Sequence, residues 1–320
     1  MKIRILSDIH LEFEHTELNF SNCDLVVLAG DIHLNNKAIH WIHENIPEIP
    51  VLYVLGNHEF YKKAYPKLID TLKEQVMDSN IHILENDMIH IKGVNFFGCT
   101  LWTDFALLGD PRLAGFECQQ IMTDFKKIRL SPKYSKLRSI DLAIIHHKSV
   151  EWLKRSLFEH QGESNVIITH HAPDLRSVPL ELRNDIISSA YASNLTELIL
   201  EFQPDYWIHG HVHDSALYPI NDCYIISNPK GYPKEQNVKF DPEFTLDLSL
   251  KGESKFKSLR HRMILNSALE LFNGDSINAY RWMGKMNRAL QNKPENMTNS
   301  MDEVQKVIDC VGRIEHGVFS

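Results

Sequence analysis

The sequence predicts a layered α/β domain followed by a small all-α domain. Three observations predict it: short runs of Val, Ile and Leu that stop abruptly at polar residues, helical patterns between those runs, and a final stretch in which every segment reads as helix. Runs this apolar belong to strands buried on both faces. Strands that alternate with helices place the helices outside a largely parallel sheet. A chain of 320 residues has room for one large and one smaller domain.

In chain order, Lys2–Leu6 ends at Ser7-Asp8, Leu25–Ala29 at Gly30-Asp31, and Val51–Leu55 at Gly56-Asn57-His58. Val166–Ile168 ends at Thr169-His170-His171, and Tyr206–Ile208 at His209-Gly210-His211. Helical patterns fall at Lys37–Asn45 and Tyr65–Met77, and a third follows Asn194, which has capping-box spacing to Glu197. Asn95–Gly98, Cys223–Ser227 and Phe244–Leu248 predict a second sheet behind the first. The polar stretch from Lys251 to Ser258 reads as a linker, giving domains 1–252 and 258–320. In the second of these, Leu259, Met263, Ala268 and Phe272 lie near one helical face. Asp275 or Ser276 caps a helix that runs through Trp282. Ser300 and Glu303 form a capping box ahead of Val304, Val307, Ile308 and Val311.

Composition narrows the class. A hydrophobic fraction of 43% and a charged fraction of 24% fit a water-soluble globular protein. No window approaches the roughly 18 apolar residues of a spanning helix, and Asp8 and His10 follow the first residue too closely for a signal peptide. Cys23, Cys99, Cys118, Cys223 and Cys310 are odd in number, widely spaced and never form a CxxC pair, which argues against a disulfide framework and a cysteine zinc site. The expectation is a cytoplasmic protein with no membrane contact. The formal net charge is −8; residues 258–320 hold eight Lys/Arg against seven Asp/Glu, so the first 257 hold 26 against 35. Long nucleic acid demands basic grooves and is disfavoured.

The polar clusters at the strand ends carry the chemistry. In order they are Asp8-Ile-His10, Gly30-Asp31, Gly56-Asn57-His58-Glu59, Thr169-His170-His171 and Gly210-His211-Val212-His213. Open α/β sheets place ligands beyond the carboxyl ends of their strands. Carboxylate, imidazole and amide oxygen suit borderline divalent ions. A carboxylate can bridge two ions about 3.5–4 Å apart, which a neutral imidazole cannot. Asp8 and His10 share one face of an extended segment, as do His211 and His213. Two cations activate water and neutralise phosphoryl oxygens, while a poor alkoxide leaving group needs a nearby acid. His33, His40 and His43 read as surface or packing residues, His146-His147 as part of a helical face, and Glu59 as a residue that orients His58 or its loop.

This ordered set resembles the calcineurin-like metallophosphoesterase family over roughly residues 1–250. The resemblance implies a two-sheet sandwich flanked by helices, a four-layer αββα arrangement, with a small all-α domain appended. It implies two divalent metal ions, Mn²⁺ foremost, with Fe, Zn, Co or Ni as alternatives. Asp8, His10, Asp31 and His213 correspond to ligands of one ion, and Asp31, Asn57, His170 and His211 to ligands of the other. Asp31 is then the bridge, His58 the general acid, and a hydroxide generated at the metals the nucleophile. Phe60-Tyr61, Leu101-Trp102-Thr103-Asp104 and Ser227–Pro233 are similar to a bacterial and phage branch of the family. The span before His170 includes Lys126, Lys127, Arg129, Lys133, Lys136 and Arg138. It is expected to form a helical cap over the metals, its basic run a solvated face or a phosphate-guiding rim. Tyr61, Trp102, His171 and Tyr232 are the candidate substrate contacts.

The closing segment resembles another family. Trp282-Met283, Asn287–Leu290, Lys293-Pro294 and the ending Val311–Phe319 are similar to the Xre/MbcA/ParS-type toxin-binding domain of bacterial antitoxins. That resemblance implies a homodimer and a protein toxin partner, often of the NAD-consuming RES type. The leading expectation is an enzyme that hydrolyses small-molecule or nucleotide phosphomonoesters or diesters. The alternative is an antitoxin-like binding protein whose phosphoesterase is ancillary. An inactive scaffold would tolerate missing ligands, and none is missing.

Overall fold

The computed structural model describes residues 1–250 and 252–317. Lys251, the first residue of the expected linker, and Val318-Phe319, the end of the antitoxin-like motif, lie outside the described residues. The chain divides into two compact units. The first is residues 1–237 with 241–246; the second is 238–240 with 247–320.

The first unit is built on two sheets. One has the order Thr245–Asp247, Lys2–Leu6, Leu25–Ala29, Val51–Val54, Ile81–Ile83. From Lys2–Leu6 onward its neighbours are parallel, in a register that pairs Ile3 with Leu25, Val26 with Val51 and Val51 with Ile81. The other has the order Leu217–Ile220, Cys223–Ser227, Tyr206–His209, Asn165–Thr169, Val94–Cys99, Asp87–Ile91. Its four inner strands are parallel and its two edges antiparallel. The fold class expected from the sequence is observed, but strand membership differs. Asn165–Thr169 and Tyr206–His209 belong to the second sheet, and Thr245–Asp247 to the first. An apolar run reports burial on both faces and carries no label for its partner, which is why the pattern alone misassigns it.

The sheets meet face to face. A Cβ on Gly98 would lie 2.3 Å from Leu84 Cβ and 3.1 Å from Val54 Cγ2, so only glycine lets the layers approach there. On the outer side of the second sheet, Phe97, Ile167, Trp207 and Ile225 pack with Val150, Leu153 and Leu157 of helix Ser139–Glu159 and with Leu198 and Ile199 of helix Thr196–Phe202. Helices Lys37–Asn45 and Lys67–Gln75 bury Ile39 and Ile42, and Leu68 and Leu72. Asn194 does not close a capping box: the helix N-cap is Leu195, and Asn194 Oδ1 accepts only a long contact from the Thr196 N–H at 3.4 Å.

The span before His170 is less helical than expected. Helix Pro111–Ile121 and the short Asp124–Lys127 are followed by a small sheet of Ala64–Tyr65, Arg129–Leu130 and Ser135–Lys136. The basic run is therefore split among a helical turn, a hairpin and Arg138, whose side chain pairs with Asp141 at the start of the next helix.

In the second unit, helices Gly252–Leu271, Ser276–Met283 and Met301–Glu315 bury Leu259, Met263, Ala268, Met283, Val304, Val307 and Val311. Asp275 is the N-cap, accepting from the Asn278 N–H. Ser300 accepts from the Glu303 N–H, while Glu303 reaches back to the Asn299 N–H rather than to Ser300. Residues 252–258, expected as a linker, are the first turns of the long helix, with Lys255 buried and the other polar side chains exposed. No helix among the described residues is long and apolar enough to cross a membrane.

Candidate metal centre and active-site cleft

Each proposed ligand follows the end of a parallel strand, and the two sheets bring these ends together. Asp8, His10, Asp31, His211 and His213 all have positive φ, from 50° to 69°. Side-chain-bearing residues in that region cost of order 1–3 kcal/mol each and persist only where the surroundings over-determine them. Here Glu59 supplies much of that determination. It is fully buried and accepts the N–H groups of Asp31 (3.1 Å), Ile32 (2.8 Å) and Gly56 (2.7 Å) and the Tyr53 hydroxyl (2.6 Å). It fixes the loops after two strands rather than the His58 ring. Glycine is required beside them. A Cβ on Gly30, whose φ is 87°, would lie 2.2 Å from His170 Nδ1, and one on Gly56 would lie 2.2 Å from Asp31 Oδ1.

Two ligand groups converge, one around Asp8, His10 and His213, the other around Asp31, His170 and His211. In the first, His10 Nε2 lies 3.1 Å from His213 Nε2, and His213 Nε2 lies 3.4 Å from Asp8 Oδ1. In the second, His170 Nε2 lies 3.1 Å from His211 Nδ1 and 3.0 Å from Asn57 Oδ1. Asp31 joins them: Oδ2 is 3.8 Å from His10 Nε2 and Oδ1 is 3.5 Å from His170 Nε2.

The donor chemistry fits divalent cations. His170 Nδ1 donates to the Ala29 carbonyl at 2.9 Å, and His10 Nδ1 donates to Glu12 Oε1 at 3.0 Å. Both rings therefore turn an unprotonated Nε2 toward the centre, the form a metal ligand needs. Burial holds the imidazoles of His10 and His211 below their usual range and His170 down to about 4. Burial, together with Glu59 and Asp8, pushes the Asp31 carboxyl well above its usual range. A divalent cation would compensate the ionised form of Asp31 and the imidazole lone pairs that face one another. Burial also acts to raise Asp8, but His213, His170 and His10 outweigh it and hold that carboxyl low.

His58 stands beside both groups. Its Nδ1 donates to Glu12 Oε1 at 2.7 Å, its Nε2 is 3.2 Å from the Tyr232 hydroxyl and 3.9 Å from Asp31 Oδ2, and its ring lies 4.4 Å from that of Tyr61. Glu12 therefore serves His10 and His58 with one oxygen. The sequence reading missed it: residues 11–13 form a turn closed by the Phe13 N–H on the His10 carbonyl, a setting that no strand pattern marks. It also missed Asp124, which accepts from Asn57 Nδ2 (2.9 Å) and the Tyr61 hydroxyl (2.8 Å) and so turns the Asn57 carbonyl oxygen toward His170.

A cleft of about 600 Å³ opens over this floor, lined among others by Asp31, Asn57, His58, Tyr61, His211, His213 and Tyr232. Of the four expected substrate contacts, Tyr61 and Tyr232 line it. Trp102 and His171 do not. They are 1% and 2% exposed and stack on each other at 5.1 Å in the layer beneath the floor, Trp102 also against Phe60. Lys126, Lys127, Arg129, Lys133, Lys136 and Arg138 do not line the cleft. Lys127 instead places its ammonium 4.6 Å from the centre of the Tyr61 ring.

Comparison with known proteins agrees with this geometry. A solved phosphopantetheinyl hydrolase from Mycobacterium tuberculosis shares the fold at a TM-score of 0.58 with 15% identity, over 73% of this chain and 90% of that one. In its C-terminal part the chain is similar to two antitoxins named Xre. It is 32% identical over 77 residues to one from Yersinia enterocolitica and 38% identical over 76 residues to one from Photorhabdus laumondii. These stretches are 24% and 22% of this chain, which spans about half the length of each relative (52% and 51%). Residues 1–215 match the family described as calcineurin-like phosphoesterase. That is about two thirds of the sequence, and the chain belongs to the calcineurin-like phosphoesterases.

Proposed function

We propose that this phosphoesterase hydrolyses small-molecule phosphoesters at a dinuclear site. Asp8, His10, Asp31 and His213 would hold one divalent cation and Asp31, Asn57, His170 and His211 the other. Mn²⁺ is the first choice, with Fe, Zn, Co or Ni as alternatives suited to the same mixed donors. When bound, such a pair lowers the pKa of water and neutralises charge on the phosphoryl oxygens. The remaining work falls to the chain. His58, held through Nδ1 by Glu12, presents Nε2 to the cleft, where it can deliver a proton to the departing oxygen. Tyr232 orients that nitrogen from the other side, and Asp124 fixes the Asn57 amide.

The observation that carries this reading is Asp31, whose two oxygens each face a different histidine group. Asp31→Asn removes the charge both groups share. Metal content after equilibration with Mn²⁺ should fall from two ions per chain, and hydrolysis of nitrophenyl phosphate should fall with it. An Asn variant that keeps two ions and full activity would refute the assignment.

A second reading concerns residues 247–320. The similarity to the Xre antitoxins supports a protein-binding role for this unit as a homodimer that sequesters a toxin, in the first instance of the RES type. The phosphoesterase would then be ancillary. A RES-type toxin co-expressed with the full chain should copurify and lose its consumption of NAD; a toxin that remains free and active would eliminate this reading. Both readings place the protein in the cytoplasm, in keeping with five free cysteines.

A further inference from the structure

The walls of the cleft constrain the organic part of the substrate, given the two-metal reading above. One wall continues from helix Pro111–Ile121 through Ile121 and Met122. That helix packs against the segment Ile186–Ala190, which adds Ile187 to the lining, with Leu182 just before it. Ile121 is 57% exposed and Leu182 41% exposed, so apolar surface stands open at the mouth. The charged side chains on the outer part of the lining are Asp185 and Glu235, both exposed and both acidic. No Lys or Arg lines the cleft among the described residues. A phosphoryl group on the floor would send its ester substituent out past this lining.

A second phosphate on that substituent would meet carboxylates where recognition of phosphate calls for guanidinium or ammonium groups. An alkyl or other apolar arm would instead cover Ile121, Met122, Leu182 and Ile187, each buried methylene strengthening binding about fourfold. We propose that the cleft takes esters with a single phosphoryl group on a largely apolar arm that is uncharged or cationic, and turns away substrates whose arm carries a further phosphate or carboxylate. This specificity excludes nucleoside di- and triphosphates, which the sequence leaves open.

The test uses full-length Mn²⁺-loaded protein and three 4-nitrophenyl phosphodiesters that share one leaving group, with ethyl, hexyl or 5-carboxypentyl as the second arm. The hexyl ester should exceed the ethyl ester in kcat/KM by about tenfold or more. The carboxypentyl ester should fall about tenfold below the hexyl ester. In a double variant, Asp185→Asn with Glu235→Gln, the hexyl-to-carboxypentyl ratio should drop to about threefold or less. Both positions are exposed, so the variant is expected to fold. An ethyl ester as good as hexyl, a carboxypentyl ester as good as hexyl, or a ratio untouched by the double variant would overturn the proposal while leaving the phosphoesterase intact. Hydrolysis of nitrophenyl phosphate but of none of the three diesters would also overturn the proposal; failure on all four substrates would overturn the two-metal reading, and this inference with it.

Discussion

His209 ends the strand that delivers His211 and His213, and its burial makes the catalytic unit sensitive to acid. The ring is 0% exposed; Nδ1 donates to the Gly210 carbonyl at 2.9 Å, and Nε2 accepts from the Ser177 hydroxyl at 2.8 Å. Both nitrogens are thus engaged in the neutral form, and burial holds the imidazole down to about 4. In the unfolded chain it titrates near its ordinary value of about 6.5. Above that pH the ring is neutral in both states and folding is undisturbed. As pH falls from about 6.5 toward 4, the unfolded chain binds a proton that the folded chain refuses. Stability is lost at about 1.4 kcal/mol per pH unit. The loss reaches about 2 kcal/mol at pH 5 and about 3 kcal/mol once pH 4 is passed. The perturbation is His209→Gln, which cannot titrate. At pH 8 the variant should be the less stable protein, because the ring's packing is gone. Between pH 8 and pH 5 the gap should narrow by about 2 kcal/mol. Urea unfolding in the presence of a chelator, followed by tryptophan fluorescence, reads this. Trp207 lies on the same strand, its indole N–H bonded to Thr169 Oγ1 at 2.9 Å. His170, also held near 4, is present in both proteins and cancels in the difference. A gap that stays constant from pH 8 to pH 5 would show that His209 keeps an ordinary proton affinity in the fold.

Three further outcomes are expected. His58→Ala should lower turnover of alkyl phosphates by about 10²–10⁴-fold and that of nitrophenyl esters far less, since nitrophenolate leaves without a proton; equal losses on both would remove His58 from the acid role. Gly30→Ala drives a Cβ into His170 at a residue with positive φ. It should cost about 1–3 kcal/mol in thermal unfolding and reduce metal content. A chain ended at Leu250 keeps every proposed ligand and should still hydrolyse nitrophenyl phosphate, but light scattering should report a smaller oligomer than full length. Unchanged mass with lost activity would make the C-terminal unit part of the catalytic fold.

Much of the site was legible because its parts sit on local signals. Asp8, Asp31, Asn57, His170 and His211 each follow an apolar run that ends at a glycine or a small polar residue; the structure gathers the Asp and His residues in the two ligand groups and sets Asn57 Oδ1 against His170. What was not legible depends on contacts between distant parts of the chain. Asp124 lies 67 residues from Asn57 and opens a four-residue helix, a setting that looks like an ordinary cap. Trp102 reads as a substrate platform from the sequence because it is an aromatic residue within the Leu101–Asp104 run. Only the packing against Phe60 and His171 reveals that it faces inward. The polar stretch after Lys251 has the composition of a loop, whereas the structure runs the long helix through it, with Lys255 buried and Phe256 half-buried.

The same contrast explains how a strained site is kept. Five of the seven proposed ligands hold a backbone conformation that side-chain-bearing residues disfavour, and no strand-end signal accounts for that. The compensation comes from two carboxylates outside the proposed ligand set, Glu59 and Glu12, and from the proposed ligand Asp8. Glu59 gathers three backbone N–H groups and the Tyr53 hydroxyl, Glu12 holds two histidines, and Asp8 receives the His211 N–H on both oxygens at 3.0 Å. These bonds form in a buried setting, where a missing partner costs more than the bond itself contributes. The ligand loops are therefore fixed by the anions around them before a cation arrives. On binding, a cation meets donors already turned inward, so ordering the loops adds little to the cost of association. The prediction for Gly30→Ala rests on this point: a displaced His170 ring loses its bond to Ala29 as well as its place beside His211, and metal content should fall even where the fold survives.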